Sequence, residues 1–186
     1  MNNYKLNVLS EYKILGIIFD KKLTFVSHIK DLRVRCAKSL NLLKILSHRS
    51  WGADKITLHR IYSSVVRSRL DYGCMVYGSA RPSCLKHLDP IHHQGLRLVL
   101  GAFRTSPVES LYVEGHEWSL ERRRFYLSTL YALKVKGYPH HPSLPCVQGT
   151  RFKQLFLNKP SAVRPFSLRI MEGGLHHGFT DCNSLV

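Results

Sequence analysis

Lys55–Gly78, KITLHRIYSSVVRSRLDYGCMVYG, is the stretch the rest of the chain is organised around. Leu58, Ile61, Tyr62, Val65 and Val66 recur at three-and-four spacing, and Leu70, Tyr72, Gly73 and Val76 continue the stripe. That is the pattern of an amphipathic helix with one buried face. One helix over 54–77 would span ~36 Å, about the width of a small domain. Arg60, Arg67 and Asp71 fall on the opposite face, with Arg67 and Asp71 spaced to pair at i, i+4. Arg69 is out of place: at about 100° per residue it lands inside the apolar stripe. It either snorkels to the rim or forms a buried structural ion pair, because a buried guanidinium needs a carboxylate. The ion pair is the expectation carried forward, with Glu109, Glu114, Glu117 and Glu121 as candidate partners.

Upstream, Ser27 is a candidate N-cap. Ile29, Leu32, Cys36, Leu40 and Leu43 form an apolar seam continuing to Leu46, with Arg35, Lys38 and Arg49 away from it and Lys30 and Lys44 on one flank. This predicts an amphipathic helix with a basic outer face, ended by HRSWG at His48–Gly52. Before it, Tyr12–Asp20, YKILGIIFD, is a short β-branched run that reads as a strand. Its glycine marks a bend or a close backbone approach. Lys21-Lys22 reads as a turn into a returning strand at Leu23–Phe25.

Downstream, Ser79–Ser83 is a turn around Pro82, and Asp89-Pro90 is a helix start. Ile91, Leu98 and Val99 are expected to face inward, with Gly101 ending that helix. Ser106-Pro107 opens a short helix. Ser119 caps a longer one, Leu120–Lys136, whose expected inner face is Leu120, Leu127, Leu130 and Tyr131. Arg122-Arg123-Arg124 is read as a solvated first turn, with a phosphate grip as the other reading. Tyr138–Cys146, YPHHPSLPC, reads as a linker, and 151–186 as loosely ordered.

The balance of 28 basic against 12 acidic residues gives +16 and suggests a polyanionic partner, nucleic acid ahead of membrane. The charge is uneven. Nine Lys/Arg lie between Leu32 and Leu70 against one acid, Asp54, whereas Glu109–Glu121 holds four acids and no Lys or Arg. No apolar run approaches a membrane span. The five scattered cysteines form no C-x-x-C and read as reduced, intracellular thiols.

Little in the residue types carries catalysis. The histidine pairs His92-His93, His140-His141 and His176-His177 are adjacent, so neighbours on one helix diverge and cannot easily share an ion. His92 and His93 are read as lining a helix surface. No D-D, D-x-D or E-x-D is present to hold paired metal ions. No metal ligands and no catalytic residues are assigned.

Four separated stretches, in order, carry a family resemblance: YKILGIIFDKKLTFVSHI, IYSSVVRSRLDYGCMVYGSA, LDPIHHQGLRLVLGAFRTSPVESLYVE and SLERRR. Over about 12–138 the chain resembles reverse transcriptases of LINE-type, non-LTR retrotransposons, jockey-like elements included. The resemblance covers only the segment after the catalytic palm. It implies that Leu15 and Gly16 belong to the primer-grip region at the palm's edge, that the following helices form the thumb, and that the proline-rich stretch leads toward another domain. The family's Tyr/Phe-Ala-Asp-Asp turn does not occur in this sequence, and Trp118 stands where a proline is usual. Mg²⁺ is accordingly expected only for the complete polymerase, with palm and fingers as further parts, and no cofactor for this chain.

The expected fold is mainly α: a thumb-like helical bundle preceded by a short β-strand or hairpin. The expected division is 1–26 as palm-edge hairpin, 27–137 as the helical domain and 138–186 as linker and loosely ordered tail. The expected function is that of a reverse-transcriptase fragment holding RNA or RNA–DNA duplex independently of sequence, through Arg33, Arg35, Lys38, Lys44, Arg60 and Arg67, and inactive alone. The alternatives are a free-standing helical DNA-binding or protein-interaction module with HRSWG as its turn, and, behind both, a nuclease using the histidine pairs.

Overall fold

A computed structural model describes residues 9–48, 50–149, 153–159 and 163–176. It opens with an antiparallel hairpin, β1 (Glu11–Ile14) and β2 (Ile17–Asp20), in the register Ile14↔Ile17. The hairpin turn is therefore Leu15-Gly16; Lys21-Lys22 is also a turn, but it leads into the first helix and not into a returning strand at Leu23–Phe25. Both turn residues have positive φ, 47° and 83°, as a two-residue type I′ hairpin requires. Leucine is unusual there, which is why the run reads as one strand.

Asp20 joins the hairpin to the bundle. Its carboxylate accepts from the Thr24 N–H and hydroxyl at 2.9 Å and from the Phe25 N–H at 2.7 Å. Helix α1 (Val26–Leu46) starts there, with Phe25 rather than Ser27 at the N-cap. Its buried face is the expected seam, Ile29, Leu32, Cys36, Leu40 and Leu43, joined by His28 and Ser39.

The central element differs from one long helix. It runs as α2 (Lys55–Ile61), a π-helical segment Tyr62–Arg67, and α3 (Ser68–Asp71). It breaks at Tyr72, which is extended, and at Gly73, φ 68°, before α4 (Cys74–Tyr77). The Ser64 hydroxyl donates to the carbonyls of Arg60 and Ile61, at 2.9 and 3.1 Å, competing for acceptors an α-turn uses. The Ser68 N–H reaches back five residues to Ser63 O. Such a segment holds extra residues per turn, so the buried positions fall at even spacing: Leu58, Tyr62, Val66, Leu70. Leu70, not Arg69, faces the core.

After α5 (Pro82–Leu85) and a 3₁₀ turn at Lys86–Leu88, α6 (Asp89–Leu100) ends on left-handed Gly101. It packs on α1, α2 and the π segment. Ile91, Leu96 and Val99 are buried, with Leu98 at the edge. Gly95 allows the close crossing, since a Cβ there would lie 2.4 Å from Tyr62 Cε2. Helix α7 (Val108–Glu114) packs on α6, and α8 (Leu120–Lys136), N-capped by the Ser119 hydroxyl, packs on α4.

The inner face of α8 is Leu120, Ser128, Ala132 and Val135, and Leu130 is exposed. Small residues set this face because α9 (Leu144–Gln148) and α11 (Phe166–His176) pack closely on it. Ala132, Val135 and Val147 form a second small core with Tyr131, Leu144, Phe166 and Ile170. Arg169 donates to Met75 O at 2.8 Å. The described part of 138–186, which also holds α10 (Lys153–Leu157), thus adds helices to the bundle where the sequence suggested linker and loose tail; 177–186 lie outside the described residues.

Candidate nucleic-acid interface

Of the six cations expected to hold phosphate, Arg33, Lys38 and Lys44 are exposed on α1 and Arg60 on α2. None of these four pairs with a described carboxylate; Lys44 donates only to Asn41 Oδ1, at 3.3 Å. Arg35 differs, its Nε lying 2.9 Å from Asp31 Oδ2 one turn earlier. The pair is more than a third exposed and so contributes little to stability. At about 100° per residue, Arg33 and Lys44 occupy one flank of α1, Lys38 the outside, and Arg35 the flank toward α3. Arg49 lies outside the described residues.

Arg67 is not on an outer face. It reaches into the bundle and donates to Glu117, whose side chain is 3% exposed. His59 Nε2 stands 3.1 Å from the same oxygen. Asp71, expected to pair with Arg67, instead receives Arg123 from α8: Nε at 2.8 and 2.9 Å and Nη2 at 2.6 Å. These bonds push the Arg123 guanidinium above its ordinary value. Within the arginine run, Arg123 is therefore a tie between α8 and α3. Arg122 lies over the Trp118 ring at 5.1 Å.

Arg69 has no carboxylate partner among the described residues, which corrects the expected ion pair with the Glu109–Glu121 segment. It is exposed and donates through Nη1 to Ser39 Oγ at 2.7 Å and Arg35 O at 3.3 Å. The reason is the π segment: its extra residue turns Arg69 out of the stripe and aims Arg67, two residues earlier, at the buried acid.

The histidines also separate. His92 is fully buried, which corrects its placement on a surface. Its Nε2 lies 3.0 Å from Trp118 O, so that nitrogen carries the proton and Nδ1 accepts from the Tyr62 hydroxyl. Burial lowers its pKa to about 4. His93 is half-buried against the Tyr112 hydroxyl at 2.8 Å. Among the described residues, no three His, Cys, Asp or Glu side chains are placed to hold a metal ion. Four cysteines are free thiols, and Cys182 lies outside the described residues. No described helix is long and apolar enough to cross a membrane.

At the hairpin tip Leu15 is 83% exposed, while its carbonyl accepts from the Tyr72 hydroxyl at 2.8 Å. Ile17 packs on Gly73, where a Cβ would lie 2.5 Å from Ile17 Cδ1. Leu15 and Gly16 are thus held at a definite place on the bundle, on the side where the central helix breaks.

A mainly helical, strongly basic chain with this hairpin is similar in sequence to RNA-directed DNA polymerases of mobile elements. It is 35% identical over 92 residues to the probable RNA-directed DNA polymerase from transposon X-element of Drosophila melanogaster, covering 48% of this chain and 10% of the relative. To the RNA-directed DNA polymerase from mobile element jockey it is 35% identical over 105 residues in Drosophila melanogaster, 53% of this chain and 11% of the relative. The Drosophila funebris jockey polymerase is 33% identical over 116 residues, 59% of this chain and 12% of the relative. The chain spans about a tenth of the length of these curated relatives. No family model and no solved structure matches. The resemblance to jockey-like, non-LTR reverse transcriptases holds.

Proposed function

We propose that the chain is the thumb-like segment of a retrotransposon RNA-directed DNA polymerase, holding RNA or RNA–DNA duplex without reading its sequence. The observation that carries this is the set of exposed cations without acidic partners among the described residues, Arg33, Lys38, Lys44 and Arg60, in a chain similar to such polymerases. Phosphate contacts of this kind position a duplex but do not specify bases. The hairpin tip Leu15-Gly16, fixed by Tyr72, is the primer-grip-like element. Arg35 plays a part through its terminal nitrogens, and Arg67 serves the bundle's interior instead.

Nucleotide addition is assigned to palm and fingers segments. The complete polymerase's metal ions, when bound, would polarise the attacking and leaving oxygens. The residues of this chain do not fit that role, since the sequence has no Asp-Asp and its aspartates are scattered.

Competition binding tests the reading. RNA–DNA duplexes of unrelated sequence should displace one another equally, and substituting Arg33, Lys38 and Arg60 by alanine should weaken all of them alike. A saturable preference for one sequence would instead support the free-standing reader.

A further inference from the structure

Between α1 and α3, beside the hairpin, lies a recess of about 130 Å³ lined by His28, Leu32, Arg35, Ser68, Arg69 and Tyr72. His28 is 2% exposed. Its Nδ1 accepts from the Ile18 N–H at 3.4 Å, so the neutral ring carries its proton on Nε2. That Nε2 is buried and makes no hydrogen bond among the described residues. A buried donor left without an acceptor is costly, and the His28 ring lines a recess flanked by two guanidinium groups.

The groups around it leave donors in excess. Arg69 spends Nη1 on Ser39 and on the Arg35 carbonyl. Arg35 faces Asp31 through Nε, leaving its terminal nitrogens. Ser68 and Tyr72 donate their hydroxyl protons elsewhere, to Ser64 O and Leu15 O, so they add oxygens and no competing charge. Arg35, Lys13 and Asp31 are the charges that act on His28, and Arg69 acts with Arg35 on the neighbouring Cys36. Three cations thus stand against one acid. The π segment creates this arrangement, because it turns Ser68 and Arg69 outward.

We propose that the recess is a binding site for one phosphate group, which the Arg35 and Arg69 guanidinium groups hold by donation to its oxygens, with the His28 ring in its lining. In the chain's own setting the phosphate belongs to the backbone of the bound strand, an assignment that rests on the nucleic-acid reading above. Planar guanidinium groups suit phosphate oxygens and can engage two at once. Burial, with Arg35 nearby, holds His28 below its ordinary pKa, so the ring lining the recess is neutral and reports on its occupancy. The recess sits where hairpin, α1 and α3 meet, one flank away from exposed Lys38. A strand lying on α1 would therefore place a phosphate here and tie the hairpin's position to the duplex.

The test follows the His28 imidazole resonances by ¹H–¹⁵N NMR in the full chain, in Tris chloride, with duplex binding measured separately by anisotropy. Inorganic phosphate should shift the His28 signals saturably, and RNA–DNA duplex should shift the same signals. Arg69→Gln should weaken phosphate binding about tenfold. Ser68→Asp, at an exposed position, should abolish it by placing a like charge at the mouth. Circular dichroism melting checks that both variants fold. If duplex binds while neither phosphate nor duplex moves His28, the recess proposal falls and the nucleic-acid reading stands. If phosphate saturates the recess but duplex does not bind, the phosphate site stands and the strand assignment falls with the nucleic-acid reading. Equal phosphate affinity in wild type and both variants would overturn the site itself.

Discussion

Arg67→Ala should destabilise the fold by about 2 kcal/mol while leaving duplex affinity unchanged. Glu117 is 3% exposed and faces the Arg67 guanidinium and the His59 ring. Removing one partner of a buried pair typically costs ~3–5 kcal/mol, because a desolvated charge is left behind. Two features lower that figure: Arg67 is 24% exposed, and the His59 ring stays 3.1 Å from the same carboxylate oxygen. Loss of one charge-assisted hydrogen bond, about 1.5–3 kcal/mol, is the better guide. For a chain of this length 2 kcal/mol corresponds to a drop of roughly 4–8 °C in Tm. Urea unfolding of wild type, Arg67→Ala, Glu117→Gln and the double variant closes the cycle. The double variant should lose less than the sum of the singles, since the stranded charge is gone. Additive costs, or a cost below about 0.5 kcal/mol for Arg67→Ala, would refute the buried pair and return Arg67 to the outer face.

His92 supplies an acid limit. Its folded pKa, about 4, lies below the unfolded 6.5, so its stabilisation is complete above pH 6.5 and is lost as pH falls toward 4. The loss approaches about 3 kcal/mol, and a urea midpoint that does not move between pH 7 and 4.5 would contradict it. Gly95→Ala pushes a methyl into the Tyr62 ring and should cost about 1–3 kcal/mol by overpacking; thermal melting reads the change. Arg169→Ala leaves Met75 O without its donor and should cost about 1–2 kcal/mol, whereas no change in Tm would mean that α11 contributes nothing to the bundle.

The seam of α1 was legible because five apolar residues keep helical spacing without interruption. Gly101 and Ser119 were legible because a left-handed C-terminus and an N-cap each favour particular residue types. The π segment was not, since an apolar stripe read with one period carries no mark of a widened turn. That single irregularity accounts for exchanging the roles of Arg67 and Arg69 and for pairing Asp71 with the wrong arginine. The Leu15-Gly16 turn was hidden because a leucine in left-handed conformation looks like strand. Ser128 and Ala132 were passed over on α8 because close helix contacts select small residues as readily as large apolar ones. Among the candidate contacts, the exposed cations could be found by composition. His28, by contrast, shows its unpartnered nitrogen only once the hairpin, α1 and α3 are brought together.

Salt dependence of binding to an RNA–DNA duplex, followed by fluorescence anisotropy on the full chain, bears most directly on the central claim. Each phosphate neutralised releases counterions, and the four exposed cations Arg33, Lys38, Lys44 and Arg60, with Arg35, give a log–log slope of about −4 to −5 on duplex. Arg60→Ala should flatten that slope by about one unit, and Arg67→Ala should leave it unchanged. Binding that ignores salt, or no binding at low salt, would contradict the account of this chain as the duplex-holding segment.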